Sequence, residues 1–183
     1  MKRLSKPCIL GSYIAVPIVI SILVLVMFVV QDPYFYTPEE LPWGYIVAPG
    51  VMIALLLIYL VVVLCVFVHN YWASIQDRHA RTSPCRALGF LFIPFFHYYW
   101  IFQAVWGFAV DFNKYIARNN VSTAQRLPEG LFLAYCILYV VSFIPYVGWA
   151  AILPYYVIGA ILVNKICDAV NALPTQSVNE HRQ

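Results

Sequence analysis

The sequence predicts an all-α polytopic membrane protein with four transmembrane helices plus one re-entrant or interfacial helical hairpin. Three observations carry this. Hydrophobic residues fill 63% of the 183 positions and charged residues only 10%, and a mean hydropathy of +0.78 exceeds what a water-facing surface tolerates. Apolar stretches of membrane length recur along the chain. The basic residues fall between those stretches with a marked sidedness. The 14 Tyr, 12 Phe and 5 Trp suit headgroup belts and packing inside a bilayer.

The first apolar stretch runs from Cys8 to Val30 behind Lys2, Arg3 and Lys6. It is too long for a signal peptide, whose core spans roughly 7–15 residues and ends at a small-residue cleavage site. Gln31-Asp32-Pro33 follows instead, so a retained helix is expected. The second stretch, Gly44 to about Val68, also has no charge. Each exceeds the ~20 residues that cross ~30 Å of hydrocarbon. Between them, residues 31–43 hold Asp32, Glu39 and Glu40 and no cation, and Thr37-Pro38-Glu39-Glu40 reads as a helix start.

After residues 69–86, which bring Arg78, Arg81 and Arg86, Ser83-Pro84 opens a helix that stops at Pro94. Ten residues cannot cross. From Phe95 to about Arg118 the chain is helical again. Gln103, Gly107, Asp111, Lys114 and Arg118 fall within about 80° of one another at ~100° per residue. This helix is hydrophobic at its start and wet at its end. Residues 119–130 form a polar link. Pro128 begins an apolar run to Ile144 that Pro145 halts, and a return span from about Trp149 to Asn164 follows. The organisation is thus a two-helix hairpin and loop (1–83), an aromatic hairpin (84–127), a C-terminal transmembrane hairpin (128–171) and a polar tail (172–183) expected to be disordered.

The two hairpins look like copies. Phe92-Ile93-Pro94-Phe95 and Phe143-Ile144-Pro145-Tyr146 lie 51 residues apart, and Asn113-Lys114 matches Asn164-Lys165 at the same offset. The ten-residue arm of the first copy reads as re-entrant and the seventeen-residue arm of the second as a full crossing. With four crossings all eleven Lys and Arg lie on one side, whereas a fifth crossing through 90–110 would leave six on one side and five on the other. The positive-inside rule selects four, with both termini cytoplasmic. The Asn120-Val121-Ser122 glycosylation pattern then faces inward and stays unmodified.

A net charge of +3, dispersed along the chain, excludes a nucleic-acid surface. Five cysteines without C-x-x-C spacing, and four scattered histidines, exclude a metal site and a disulfide framework. No nucleophile–base set or nucleotide fingerprint is present, so neither an enzyme nor a cofactor is expected. Asp111 stands three residues before Lys114 and Asp168 three residues after Lys165, which predicts helical ion pairs.

The densest feature is Phe90 to Phe112, with eleven aromatics in 23 residues. Its string IPFFHYYWIFQAVWGFAVDFNK resembles uncharacterised small bacterial multi-pass membrane proteins with the pattern I-P-F-x-x-x-Y-W-x-F-x-x-x-x-G-x-x-x-D-x-N. LPEGLFLAYCIL, FIPYVGW and NKICDAVNAL look like the same family's second hairpin. The resemblance covers roughly residues 86–173, implies a bacterial inner-membrane location and brings no established activity. The expected partners are the lipid bilayer and a membrane protein or a second copy of the chain. The candidate contact residues are His97, Trp100, Gln103, Trp106, Asp111, Lys114 and Arg118. The expected role is lipid or partner binding through the aromatic hairpin. The alternative is a small oligomeric channel or transporter.

Overall fold

A computed structural model describes residues 4–30, 44–77 and 79–174. The acidic loop with its helix start at Thr37, Arg78 and the end of the tail lie outside them. The described residues are helical, with no strand among them. In order they form α1 (Lys6–Val30), α2 (Gly44–Ala73), α3 (Pro84–Gly89), a 3-10 turn (Phe90–Phe92), α4 (Phe96–Ile101), a π-helical segment (Phe102–Trp106), α5 (Gly107–Arg118), α6 (Glu129–Val141) and α7 (Val147–Asn171).

Three helices are long and apolar enough to cross a bilayer: Lys6–Val29, Val47–Ala73 and Val147–Asn171. The arm expected to run from 128 to 144 as a fourth crossing is helical only over Glu129–Val141. Its 13 residues cover about 20 Å at 1.5 Å per residue, less than the ~30 Å of hydrocarbon. Phe143 and Ile144 leave the helix through i→i+3 turns before Pro145, so the proline removes more of the span than its position alone suggests.

The chain divides into two compact units, residues 7–64 and residues 1–6 with 65–183. In the first, Leu25, Phe28, Leu55 and Ile58 are all more than half exposed, an apolar surface of the kind that a helix crossing a membrane presents. The Ser12 hydroxyl donates to the Cys8 carbonyl at 2.8 Å and meets the Tyr59 hydroxyl at 2.9 Å, so this buried serine is bonded within the unit.

The second unit holds two helical hairpins with a core of Trp72, Phe108, Phe112, Phe132, Cys136 and Cys167, each fully buried. Their tips share one geometry. Phe95 (φ 63°, ψ −41°) and Tyr146 (φ 66°, ψ −51°) each sit in the left-handed region directly after a proline. At both tips the next N–H reaches back two residues, Phe96 to the Pro94 carbonyl at 2.7 Å and Val147 to that of Pro145 at 2.8 Å. The following N–H reaches back four, His97 to Ile93 at 3.1 Å and Gly148 to Ile144 at 2.8 Å. These are two γ-turns with positive central φ, a strained form, each followed directly by a helix. The 51-residue offset of the sequence is thus a repeat of backbone conformation as well as of letters. The Tyr98 and Phe143 rings meet edge to face at 5.1 Å, which sets the two tips side by side.

Candidate functional site

Two features of the second unit concentrate polar and strained chemistry: a ladder of polar side chains along α4, the π segment and α5, and the pair of aromatic tips. The ladder grows from sequence spacing. Tyr99, Gln103, Gly107 and Asp111 recur every four residues and share one helix face. Arg81, from the loop after α2, lies along that face. Its Nη1 donates to Gln103 Oε1 at 3.1 Å, its Nη2 stands 3.4 Å from Asp111 Oδ1, and its backbone N–H points to Asp111 Oδ2 at 3.4 Å. Gln103 Nε2 continues to the Tyr99 hydroxyl at 3.3 Å. A Cβ added at Gly107 would meet Arg81 Nη1 at 3.4 Å, so a side chain longer than that of alanine would displace the guanidinium.

Further along, Arg118 donates to Asp77 at 2.7 Å, and Asp77 also accepts the His79 backbone N–H at 2.8 Å. Tyr115 is buried beside this pair. Burial first, and then the Asp77 carboxylate, push its phenol above the ordinary tyrosine value. At the base of the hairpin Asn113 grips a single residue by both backbone groups. Its Oδ1 accepts the Leu127 N–H at 2.8 Å, and its Nδ2 donates to the Leu127 carbonyl and to Glu129, each at 2.9 Å.

The expected ion pairs are therefore corrected. Asp111 faces Arg81 and not Lys114; Asp168 accepts two bonds from Lys6, at 2.8 and 2.9 Å, and not from Lys165. The physical reason is burial: Asp111 is 8% exposed, on the inner side of α5, while Lys114 is turned outward. Spacing along one helix fixes which residues are near each other, not which is offered a better donor from another segment.

The π segment answers a different need. In a π turn the N–H of Gly107 bonds the Phe102 carbonyl five residues back, and carbonyls in and just before the segment accept from donors outside the helix. Ala104 takes two, from the Tyr71 hydroxyl at 3.1 Å and the Trp72 indole at 3.0 Å, and Ile101 takes the Cys136 thiol at 3.6 Å. The widened turn is where the end of α2, the first hairpin and α6 are joined. No sequence signal in the Phe102–Trp106 stretch announces it.

The predicted contact residues thus fall into three places. Gln103, Asp111 and Arg118 are bound into the ladder. His97 and Trp100 pack near the first tip: the His97 ring meets Tyr98 at 4.0 Å and Tyr139 at 6.2 Å, while the Trp100 indole donates to the Ala87 carbonyl at 2.9 Å and stacks on Phe96 at 5.7 Å. Trp106 is half-buried in the π segment and Lys114 is exposed on α5. Sequence reasoning missed Arg81, which the ladder cannot lack, and the two residues at the turns, Phe95 and Tyr146. A bulky residue directly after a proline that ends a helix was the available signal for the latter.

Among the described residues no group of His, Cys, Asp and Glu converges on a metal position. Compared with known proteins, the chain matches no family model, no curated protein and no solved structure.

Proposed function

We propose that this chain is a non-enzymatic membrane module that holds lipid or a membrane partner through its aromatic hairpin. One observation carries the reading. Phe95 and Tyr146 adopt a backbone conformation that costs an L-residue about 1–2 kcal/mol relative to glycine, yet their rings are 85% and 91% exposed. Neither ring recovers that energy by packing inside the chain. Strain held at an exposed aromatic marks a side chain retained for something outside the fold. Phe92, Ile93, Phe143 and Trp149 are exposed around the same tips, which makes the pair of turns an apolar prow.

The depth of that prow supports a re-entrant first hairpin. Gln103, the nearest ladder residue bonded to Arg81, is eight residues from Phe95, or about 12 Å along the helix. That is close to one leaflet of a ~30 Å core, so the tip reaches the bilayer midplane while Arg81 stays at the headgroups. The proposed arrangement has both termini cytoplasmic in a bacterial inner membrane, with α1 and α2 crossing. The second hairpin leaves and returns on the side of Arg126 and Lys165. Opposite-face labelling of Cys85 and of Thr37→Cys, each as the single cysteine, tests it; labelling of both from one face would sink it.

The functional reading is tested by replacing Phe95 and Tyr146 with Gly in the full chain. Folding should be preserved or improved while lipid or partner association weakens. Unchanged association would defeat the reading. A second reading, a small oligomeric channel or transporter, draws on the hairpin broken at Pro94 inside the membrane, with the Arg81–Asp111 pair at its headgroup-side mouth, since broken segments at membrane depth line pathways and a charged pair at the entrance selects what enters. Selective, saturable flux in liposomes that is lost in Asp111→Asn would favour it.

A further inference from the structure

A cleft of about 360 Å³ opens at the base of the second hairpin, where the link after α5 passes the end of α7. Thr123, Gln125 and Arg126 line one wall, Lys165 and Asp168 the other. The link is held in place by several bonds. Thr123 Oγ1 donates to the Ala172 carbonyl at 2.8 Å, Ala124 and Leu127 are buried, and Asn113 grips Leu127. The exposed residues between those anchors, Gln125 and Arg126, are therefore presented by a fixed backbone. Asp168 is neutralised by Lys6, which bonds both of its oxygens. The charge that the cleft offers is that of Arg126 and Lys165.

We propose that this cleft binds a phosphate group, one monoester or diester, through Arg126 and Lys165 with Gln125 as a further donor. The guanidinium fork matches two phosphate oxygens and the ammonium supplies a point charge. The position favours the phosphate of an anionic lipid. Residues 130–164 carry no charge, and Lys165 is the first charged residue after that apolar run, so the cleft opens where hydrocarbon gives way to headgroups. This rests on the reading that the hairpins lie in a bilayer. The site is distinct from the aromatic tips, which lie at the opposite end of α7.

The test uses the full chain in a neutral detergent, with short-chain phosphatidylglycerol as one probe, inorganic phosphate as the other and short-chain phosphatidylcholine as control. Binding is read by native mass spectrometry and by calorimetry, for the wild type and for Arg126→Gln, Lys165→Gln and the double variant. Arg86→Gln, an exposed cation outside the cleft, controls for general charge. Phosphatidylglycerol affinity should fall about fivefold for each removed cation and about thirtyfold for both, and Arg86→Gln should leave it unchanged. Equal weakening by inorganic phosphate competition would identify a soluble phosphate as the ligand; indifference to it would identify the lipid. Affinity unchanged in the double variant, or lowered as much by Arg86→Gln, overturns the site. Alkaline carbonate extraction of cell membranes separates the two premises. A chain released by carbonate refutes the membrane reading, and a chain retained but binding neither probe refutes the cleft alone.

Discussion

The two hairpins end in the same turn but enter it differently, and the difference shows what the shared turn requires. The first hairpin arrives through a short helix and the 3-10 turn Phe90–Phe92; the second arrives through the longer helix α6. Where the first carries His97, the second carries Gly148. A Cβ on Gly148 would run into the Ser142 carbonyl oxygen and stand 2.9 Å from its carbon. The longer arm brings its own backbone across the start of the return helix, and only a residue without a side chain fits. The shorter arm leaves that place open, and a histidine occupies it. The first hairpin is also wet along one flank, where Arg81 binds its polar ladder, whereas the second has no charged residue from Gly130 to Asn164. One turn therefore serves two depths of polarity: a hairpin lined on one side by ionised groups, and one dry to its base.

This contrast can be broken most sharply at the second tip. Gly148→Ala should destabilise the folded chain by about 3 kcal/mol, because both atoms it meets are backbone and cannot step aside. His97→Ala, at the matching place, should change stability by less than about 1 kcal/mol. Thermal unfolding of both variants in one detergent checks the pair, and equal losses would show that the two tips are packed alike.

The matched asparagines give the next largest effect. Asn113 binds both backbone groups of buried Leu127, whereas Asn164 donates only to the Ala160 carbonyl of its own helix at 3.3 Å. Asn113→Ala should cost about 2 kcal/mol, since it strands a buried N–H and carbonyl, and Asn164→Ala about 0.5 kcal/mol or less. Equal costs would mean that the copies are fastened in the same way. Smaller again is the contrast between acids. Asp111→Asn should cost about 1 kcal/mol, limited because Arg81 is 41% exposed. Asp168→Asn, whose side chain is 65% exposed, should cost less than about 0.5 kcal/mol. A change of opposite sign is expected at the tips, where Phe95→Gly or Tyr146→Gly should raise stability by up to about 1 kcal/mol through relief of strain, measured in the same assay.

Much of this architecture was legible from the residues. Long uncharged runs mark α1, α2 and α7, and the prolines at 94 and 145 end helices because they remove a donor and crowd the preceding turn. The F-I-P repeat located both turns correctly. The length of α6 was overestimated because apolarity continues through Phe143 and Ile144 after the helix has ended. The polar face of α4 and α5 was visible as a stripe, but its partner was not. Arg81 lies 30 residues before Asp111, and nothing in local spacing says which loop returns to cover a helix face. The π segment was invisible for a similar reason, since its widened turn is imposed by donors from Tyr71, Trp72 and Cys136, all distant in sequence. The acidic loop at 31–43 and the tail beyond Pro174 lie outside the described residues.

The opening residues of the chain are fastened to its last helix. Asn171 Oδ1 accepts the Leu4 N–H at 2.9 Å and its Nδ2 donates to the Leu4 carbonyl at 3.0 Å, while Lys6 bonds Asp168. Between 162 and 167 residues separate the partners, so during synthesis this clasp cannot close until α7 has been made. A product cut short before Asp168 would still contain α1, α2 and both turns, but residues 4–6 would have nothing to hold. The clasp is in effect a latch on synthesis, closing only once α7 is present.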